Sequence, residues 1–79
     1  MLKLYMKRRC PHCRKVVDEN HDSIGADLNL LYIEHEENLR DLMAAGGKRQ
    51  TPFLVDEERQ VTMYESDDII EYLADTYGG

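Results

Sequence analysis

The sequence predicts a single α/β domain over residues 1–79, of element order βαβαββα, with a four-stranded mixed sheet flanked by helices. Three observations carry that expectation. Leu2, Leu4 and Met6 alternate with Lys3, Tyr5 and Lys7 at the period of a strand. Pro11 suits the first position of a helix, where its missing N–H costs nothing, so a helix is expected to begin directly after Cys10. Late in the chain, two short β-prone runs flank the polar stretch Asp56-Glu57-Glu58-Arg59-Gln60, the pattern of an antiparallel hairpin.

The remaining elements follow in order. Cys13, Val16, Val17 and Ile24 fall roughly on one face of the first helix, and Gly25-Ala26-Asp27 breaks it. Leu28 to Ile33 is a nearly continuous apolar run, as expected of a strand covered on both faces, and it completes a parallel crossover with the first strand. Leu39, Leu42 and Met43 recur at helical spacing, and Gly46-Gly47 supplies the left-handed residue that commonly ends a helix. Pro52-Phe53-Leu54-Val55 and Val61-Thr62-Met63-Tyr64 form the hairpin strands. Ser66 is expected to cap a final helix, with Asp67 and Asp68 favourable in its first turn and Ile69, Ile70, Leu73 and Tyr77 as its buried stripe. Gly78-Gly79 follows it.

Composition narrows the function classes. Apolar residues are 42% of the chain and charged residues 33%, the balance of a folded soluble protein. The first seven residues are too short an apolar stretch for a signal-peptide core, and no membrane-length apolar run follows, so the expected location is cytoplasmic. The formal charge of -6 conceals an asymmetry, because residues 1–15 hold Lys3, Lys7, Arg8, Arg9, Arg14 and Lys15 and no acid. Beside two cysteines, such a group would favour a thiolate and attract an anionic partner, whereas the acidic body would repel nucleic acid.

The chemistry is expected in Cys10-Pro11-His12-Cys13. Cys10 precedes a helix, so its sulfur can receive the free first-turn N–H groups and the positive end of the helix dipole, which makes it the candidate nucleophile. Cys13 lies nearly one turn further on and can close a disulfide with Cys10 or resolve a mixed disulfide formed there. Pro11 and His12 are modulators, the imidazole by stabilising the thiolate. Zinc would need two more ligands, and the chain offers only His12, His21 and His35 with no second cysteine pair, so no metal site is assigned. The residue after Cys13 is Arg14, which excludes a c-type haem motif.

With this motif at a strand-to-helix junction and Thr51-Pro52 opening the third strand, the chain resembles the glutaredoxin family of the thioredoxin fold over nearly its whole length. Three features depart from that pattern: His12 stands in place of an aromatic residue, Gln50-Thr51-Pro52 in place of Thr-Val-Pro, and the Gly-Gly that precedes the late Asp-containing turn of many glutaredoxins is absent. The resemblance implies a cis peptide bond at Pro52 opposite the cysteines. It also implies a glutathione site in which Lys7 pairs with a carboxylate, the backbone of Thr51 bonds the cysteinyl part, and Ser66 with Asp67 holds the γ-glutamyl end. The segment Tyr64-Glu65-Ser66-Asp67-Asp68-Ile69-Ile70-Glu71-Tyr72-Leu73 is also similar to the Glu-Ser turn and helix of glutathione transferase N-terminal domains, which adds Glu65 to the binding residues.

The resemblance therefore implies a monomeric thiol-disulfide oxidoreductase of cell redox homeostasis and electron transport, with a redox-active disulfide and glutathione as co-substrate rather than a tightly bound cofactor. Its partners would be glutathione and disulfide-bearing or glutathionylated proteins, with neither nucleic acid nor membrane. Two alternatives remain open: recharging by a flavoprotein reductase of the thioredoxin reductase type, and a non-catalytic module holding glutathione, a metal or an iron-sulfur cluster. Pro11 argues against the cluster, since cluster-binding glutaredoxins usually have a small residue there. The motif also resembles that of periplasmic disulfide oxidases, but their helical insertion has no room in this chain.

Overall fold

The computed structural model describes residues 1–78; Gly79 lies outside the described residues. The elements are strand β1 (Leu2–Met6), helix α1 (Pro11–Glu19), a π-helical turn (Asn20–Ile24), strand β2 (Asn29–Tyr32), helix α2 (Glu36–Gly46), strands β3 (Phe53–Asp56) and β4 (Val61–Tyr64), and helix α3 (Ser66–Tyr77). The strands form one four-stranded sheet in the order β2-β1-β3-β4. β1 runs parallel to β2, with Leu4 opposite Leu30, and antiparallel to β3, with Leu4 opposite Leu54. β3 and β4 make the expected antiparallel hairpin. This is the thioredoxin-like arrangement that the element order predicted.

The alternation in β1 sorts its side chains between two layers. Leu2, Leu4 and Met6 join Cys13 and Val16 of α1 and Ile69 and Leu73 of α3 in one core. Tyr5 points the other way and packs with Ile33, Leu42 of α2 and Phe53. β1 and β3 are therefore the strands covered on both faces. The apolar run at Leu28–Ile33 is instead an edge strand, with Asn29 exposed and Leu30 37% exposed. A run of apolar residues says that a strand is β-prone, but strand order decides which strand is central.

Three further expectations change in the structure. Met43 is 41% exposed, so the buried stripe of α2 rests on Leu42 with Leu39 half-buried beside it. The two glycines after it divide their work: Gly47 takes the left-handed cap at φ 80°, while Gly46 is still helical and lies where a Cβ would strike the Tyr64 hydroxyl and the Phe53 ring. Asp56, read as a loop residue, is the last residue of β3 and only 1% exposed. Burial of that carboxylate is matched by hydrogen bonds from the Tyr72 and Tyr77 hydroxyls, each at 2.6 Å, which fasten α3 to the hairpin.

The first helix ends as a π turn closed by Gly25 at φ 79°. Asn20 holds that turn, its side-chain amide donating to the Ala26 carbonyl and its carbonyl accepting from the Ala26 N–H, both at 2.9 Å. Among the described residues no helix is long and apolar enough to cross a membrane.

Candidate functional site

Cys10 is the N-cap of α1, with extended backbone at φ -127° and ψ 103°. That conformation turns its side chain back over the first helical turn, and its Sγ accepts the Cys13 N–H at 3.2 Å. From across the site, the Thr51 hydroxyl reaches the same sulfur at 3.6 Å and the Thr51 carbonyl lies at 4.0 Å. The Thr51–Pro52 peptide bond is cis. Pro52 itself is buried, at the start of the chain that becomes β3.

Partial burial opposes a charged Cys10 sulfur. Hydrogen bonds from the Cys13 thiol, the Thr51 hydroxyl and the backbone N–H groups of Cys13 and His12 outweigh it and hold the Cys10 thiol below its ordinary 9.0. Cys13 is shifted the other way. Full burial, then donation of its own proton to the Cys10 sulfur, pushes it up to about 11, against an opposing hydrogen bond from the Lys7 backbone. The two thiols are thus unequal, a half-buried acidic one and a fully buried reluctant one.

The basic residues near the N-terminus do less here than their clustering in the sequence suggests. Lys3 lies away from the sulfurs, paired with Glu57 at 3.3 Å. Arg14 pairs with Asp18 at 3.4 Å and Lys15 with Asp67 at 2.6 Å. The acidity of Cys10 comes from hydrogen-bond donors at the helix start and on Thr51 rather than from cations. His12 contributes through its backbone N–H, while its imidazole acts on Asp67 instead.

A cavity of about 420 Å³ is lined by His12, Lys15, Gln50, Thr51, Pro52, Glu65, Ser66 and Asp67. It brings together most of the residues singled out in the sequence. Lys7 is not among them: its side chain is exposed and lines neither this cavity nor the one beside Cys10. Ser66 is not the cap of α3 but its first helical residue; the N-cap is Glu65, at φ 72°, and its side chain makes no cap hydrogen bond. The left-handed turn at a non-glycine residue is a strained conformation. It leaves the positive end of α3, at Glu65, Ser66 and Asp67, in the cavity wall, where a ligand carboxylate is favoured.

Two lining residues, Gln50 and Lys15, were not assigned to the glutathione site from the sequence. Gln50 donates to the Glu65 side chain at 3.3 Å and so supports the strained turn. Lys15 stands three residues after His12, and that helical spacing is the one sign that the two share a face. On the other side of Cys10, a second concavity of about 290 Å³ is lined by Arg8, Arg9, Cys10, Pro11 and Arg14.

A cysteine capping a helix opposite a cis-proline, on a β2-β1-β3-β4 sheet, defines a thioredoxin-like domain. Residues 4–79 match the family described as glutathione S-transferase, N-terminal domain, and the chain belongs to that family. A delta-class glutathione transferase from Nilaparvata lugens is 27% identical at a TM-score of 0.81, covering 100% of this chain and 37% of that one. The glutathione S-transferase unclassified 2 from Bombyx mori is 26% identical at 0.81, covering 98% and 36%. An epsilon-class glutathione S-transferase from the housefly, Musca domestica, shares the fold at a TM-score of 0.77 and 17% identity, covering 99% and 36%. The chain therefore spans little more than a third of the length of these structures. No curated protein matches it. Of the two resemblances read from the sequence, the family match supports the glutathione transferase one, carried by the Glu65-Ser66 turn.

Proposed function

We propose that this domain is a glutathione-dependent thiol-disulfide oxidoreductase, working as a single unit over residues 1–79 and reducing protein disulfides or glutathione mixed disulfides through Cys10. The observation that carries the reading is the Cys10 sulfur itself: an acidic thiol at a helix start, beside Thr51 and the cis-proline. Membership of a glutathione transferase family supports glutathione as the co-substrate.

In this mechanism the Cys10 thiolate attacks one sulfur of a disulfide, an S–S bond forms to Cys10, and the other sulfur leaves as a thiolate that water protonates. A second thiolate then attacks the mixed disulfide and regenerates Cys10. Cys13 is fully buried, and that desolvation, the largest cause raising its thiol, persists when Cys10 is held in the mixed disulfide. Free glutathione is therefore the better resolving thiol. Its γ-glutamyl carboxylate would lie at the N-terminus of α3, held by Glu65, Ser66 and Asp67, with Thr51 and Pro52 against its cysteinyl part.

The direct test is glutathione-dependent reduction of a small mixed disulfide, coupled to glutathione reductase. Turnover by the parent and none by Cys10→Ser is expected. A parent that is inert with glutathione but recharged by a thioredoxin reductase would sink the glutathione part of the reading.

A second reading has its own support in the family match. In that reading the ionised sulfur would be that of glutathione, with the Cys10 side chain at the helix start donating a hydrogen bond to it. Cys10→Ser separates the two, because a serine hydroxyl can still donate: conjugation of glutathione to an aryl halide would survive that substitution, and disulfide reduction would not.

A further inference from the structure

The two concavities beside α1 differ in chemistry. The larger one mixes acids, a lysine and neutral polar groups, whereas the smaller one contains, apart from Cys10 and Pro11, only Arg8, Arg9 and Arg14. They share no lining residue, and the reactive sulfur borders the second. We propose that the arginine-lined concavity receives the protein substrate, and that this substrate is an acidic polypeptide segment carrying the cysteine to be reduced. The inference rests on the thiol-disulfide reading and adds to it the class of substrate.

Three features favour an acidic chain. No carboxylate pairs with the side chains of Arg8 or Arg9 among the described residues, and the one partner of Arg14 is Asp18, with both side chains more than half exposed. Such a pair is weak and readily exchanged for an incoming carboxylate. Glu34 accepts the Arg8 backbone N–H at 3.0 Å and so fixes the loop, while the Arg8 guanidinium rests 5.8 Å over the Tyr32 ring.

The contrast with the rest of the molecule is the second feature. Residues 16–79 hold 16 acidic and 4 basic side chains, so an acidic segment is repelled from most of the surface and drawn to this one face. Size is the third. A concavity of about 290 Å³ accepts a few side chains of a peptide, and its arginines suit bidentate carboxylates.

The step is balanced without any further oxidant. For a glutathionylated peptide, Cys10 attacks the glutathione sulfur, the Cys10–glutathione disulfide forms, and the peptide thiolate leaves from the arginine side and takes a proton from water. A second glutathione thiolate then displaces Cys10, giving oxidised glutathione and supplying the two electrons.

The test uses glutathione mixed disulfides of three otherwise matched peptides, flanked by Glu, by neutral residues or by Lys, and reads the ratio of kcat/KM between the acidic and basic ones. Because both substrates meet the same enzyme, any general loss of activity in a variant cancels. The parent is expected to prefer the acidic peptide by about tenfold or more at low salt, and the preference should shrink as salt screens the charges. Reversal of charge in Arg9→Glu with Arg14→Glu should invert the ratio, while the same change at Arg40 on α2, across the sheet, should not. Turnover of all three peptides at equal rates would overturn the inference and leave the thiol-disulfide reading standing; so would a parent that dimerises at low salt and shows no preference, since a second copy would then cover the face. Turnover of none would remove the reading on which the inference rests.

Discussion

The Lys15 ammonium meets the Asp67 carboxylate at 2.6 Å, joining α1 to the first turn of α3 within the wall of the larger cavity. The ammonium, by hydrogen bond and then by charge, holds the Asp67 carboxyl below its ordinary range. Both side chains are exposed, so their pairing contributes little to stability. Its importance is to the cavity, which without Lys15 would present Glu65 and Asp67 with no lysine to balance them.

Lys15→Gln is therefore expected to leave the unfolding free energy nearly unchanged. Glutathione, with one net negative charge, should bind more weakly, raising its KM severalfold with little change in kcat. Urea unfolding and steady-state kinetics check the two halves. An unchanged KM would show that the anion is held elsewhere.

The Asp56 cluster sets a second expectation, for stability. Burial opposes its ionisation, but hydrogen bonds from Tyr72, Tyr77 and the Arg59 backbone, with the Arg59 charge, hold its carboxyl below the ordinary 3.8. A depressed carboxyl contributes stability that is present above its unfolded value and lost as pH falls through its folded one. Thermal midpoints should thus hold level above about pH 5 and decline below pH 4, and Asp56→Asn should flatten that decline. Tyr72→Phe removes one of the two hydroxyl donors to a buried carboxylate and should cost about 1–3 kcal/mol.

Gly46 predicts a packing effect. A Cβ there would meet the Tyr64 ring and hydroxyl and the edge of Phe53. The Tyr64 hydroxyl cannot easily give way, because it donates to the Lys48 carbonyl at 2.7 Å and accepts the Lys48 N–H at 3.1 Å. Gly46→Ala should destabilise by about 1–3 kcal/mol despite the better helix propensity of alanine. A stabilised variant, seen as a higher urea midpoint, would contradict that packing.

What the sequence disclosed was mostly local. Period-2 alternation located β1, Pro11 marked the start of α1, and the Glu65-Ser66 turn carried the family relationship that residues 4–79 confirm. What it hid depended on residues far apart in the chain. Asp56 stands beside Glu57 and Glu58 and reads as loop; its burial follows from tyrosines 16 and 21 positions later. The edge position of β2 follows from β3 inserting on the other side of β1, which no pattern within Leu28–Ile33 encodes. Gln50 entered the cavity through its bond to Glu65, and Ser66 lost its capping role to a left-handed turn at that same Glu65.

Cys13→Ser tests which thiol resolves the intermediate. Cys13 is fully buried and its thiol is pushed up to about 11, so glutathione should resolve the Cys10 mixed disulfide without it. Activity in the glutathione-coupled assay is expected to stay within about threefold of the parent, since the Cys13 thiol gives Cys10 only one of its several hydrogen bonds. Complete loss of turnover in a folded Cys13→Ser protein would mean that the dithiol route is obligatory.

The acidity of Cys10 is the most direct chemical prediction. Its rate of alkylation by iodoacetamide should rise with pH to a plateau, with a midpoint below the ordinary thiol value of 9.0, because only the thiolate reacts. Thr51→Val removes a hydroxyl that donates to the sulfur at 3.6 Å and nearly preserves the side-chain shape. The loss of a donor to the charged form must move the midpoint upward. Cys13, buried beneath it, should stay unmodified over the same pH range, which peptide mapping can verify. A midpoint that stays fixed in Thr51→Val would show that the Cys13 thiol and the helix-start N–H groups of His12 and Cys13 hold the thiolate without Thr51.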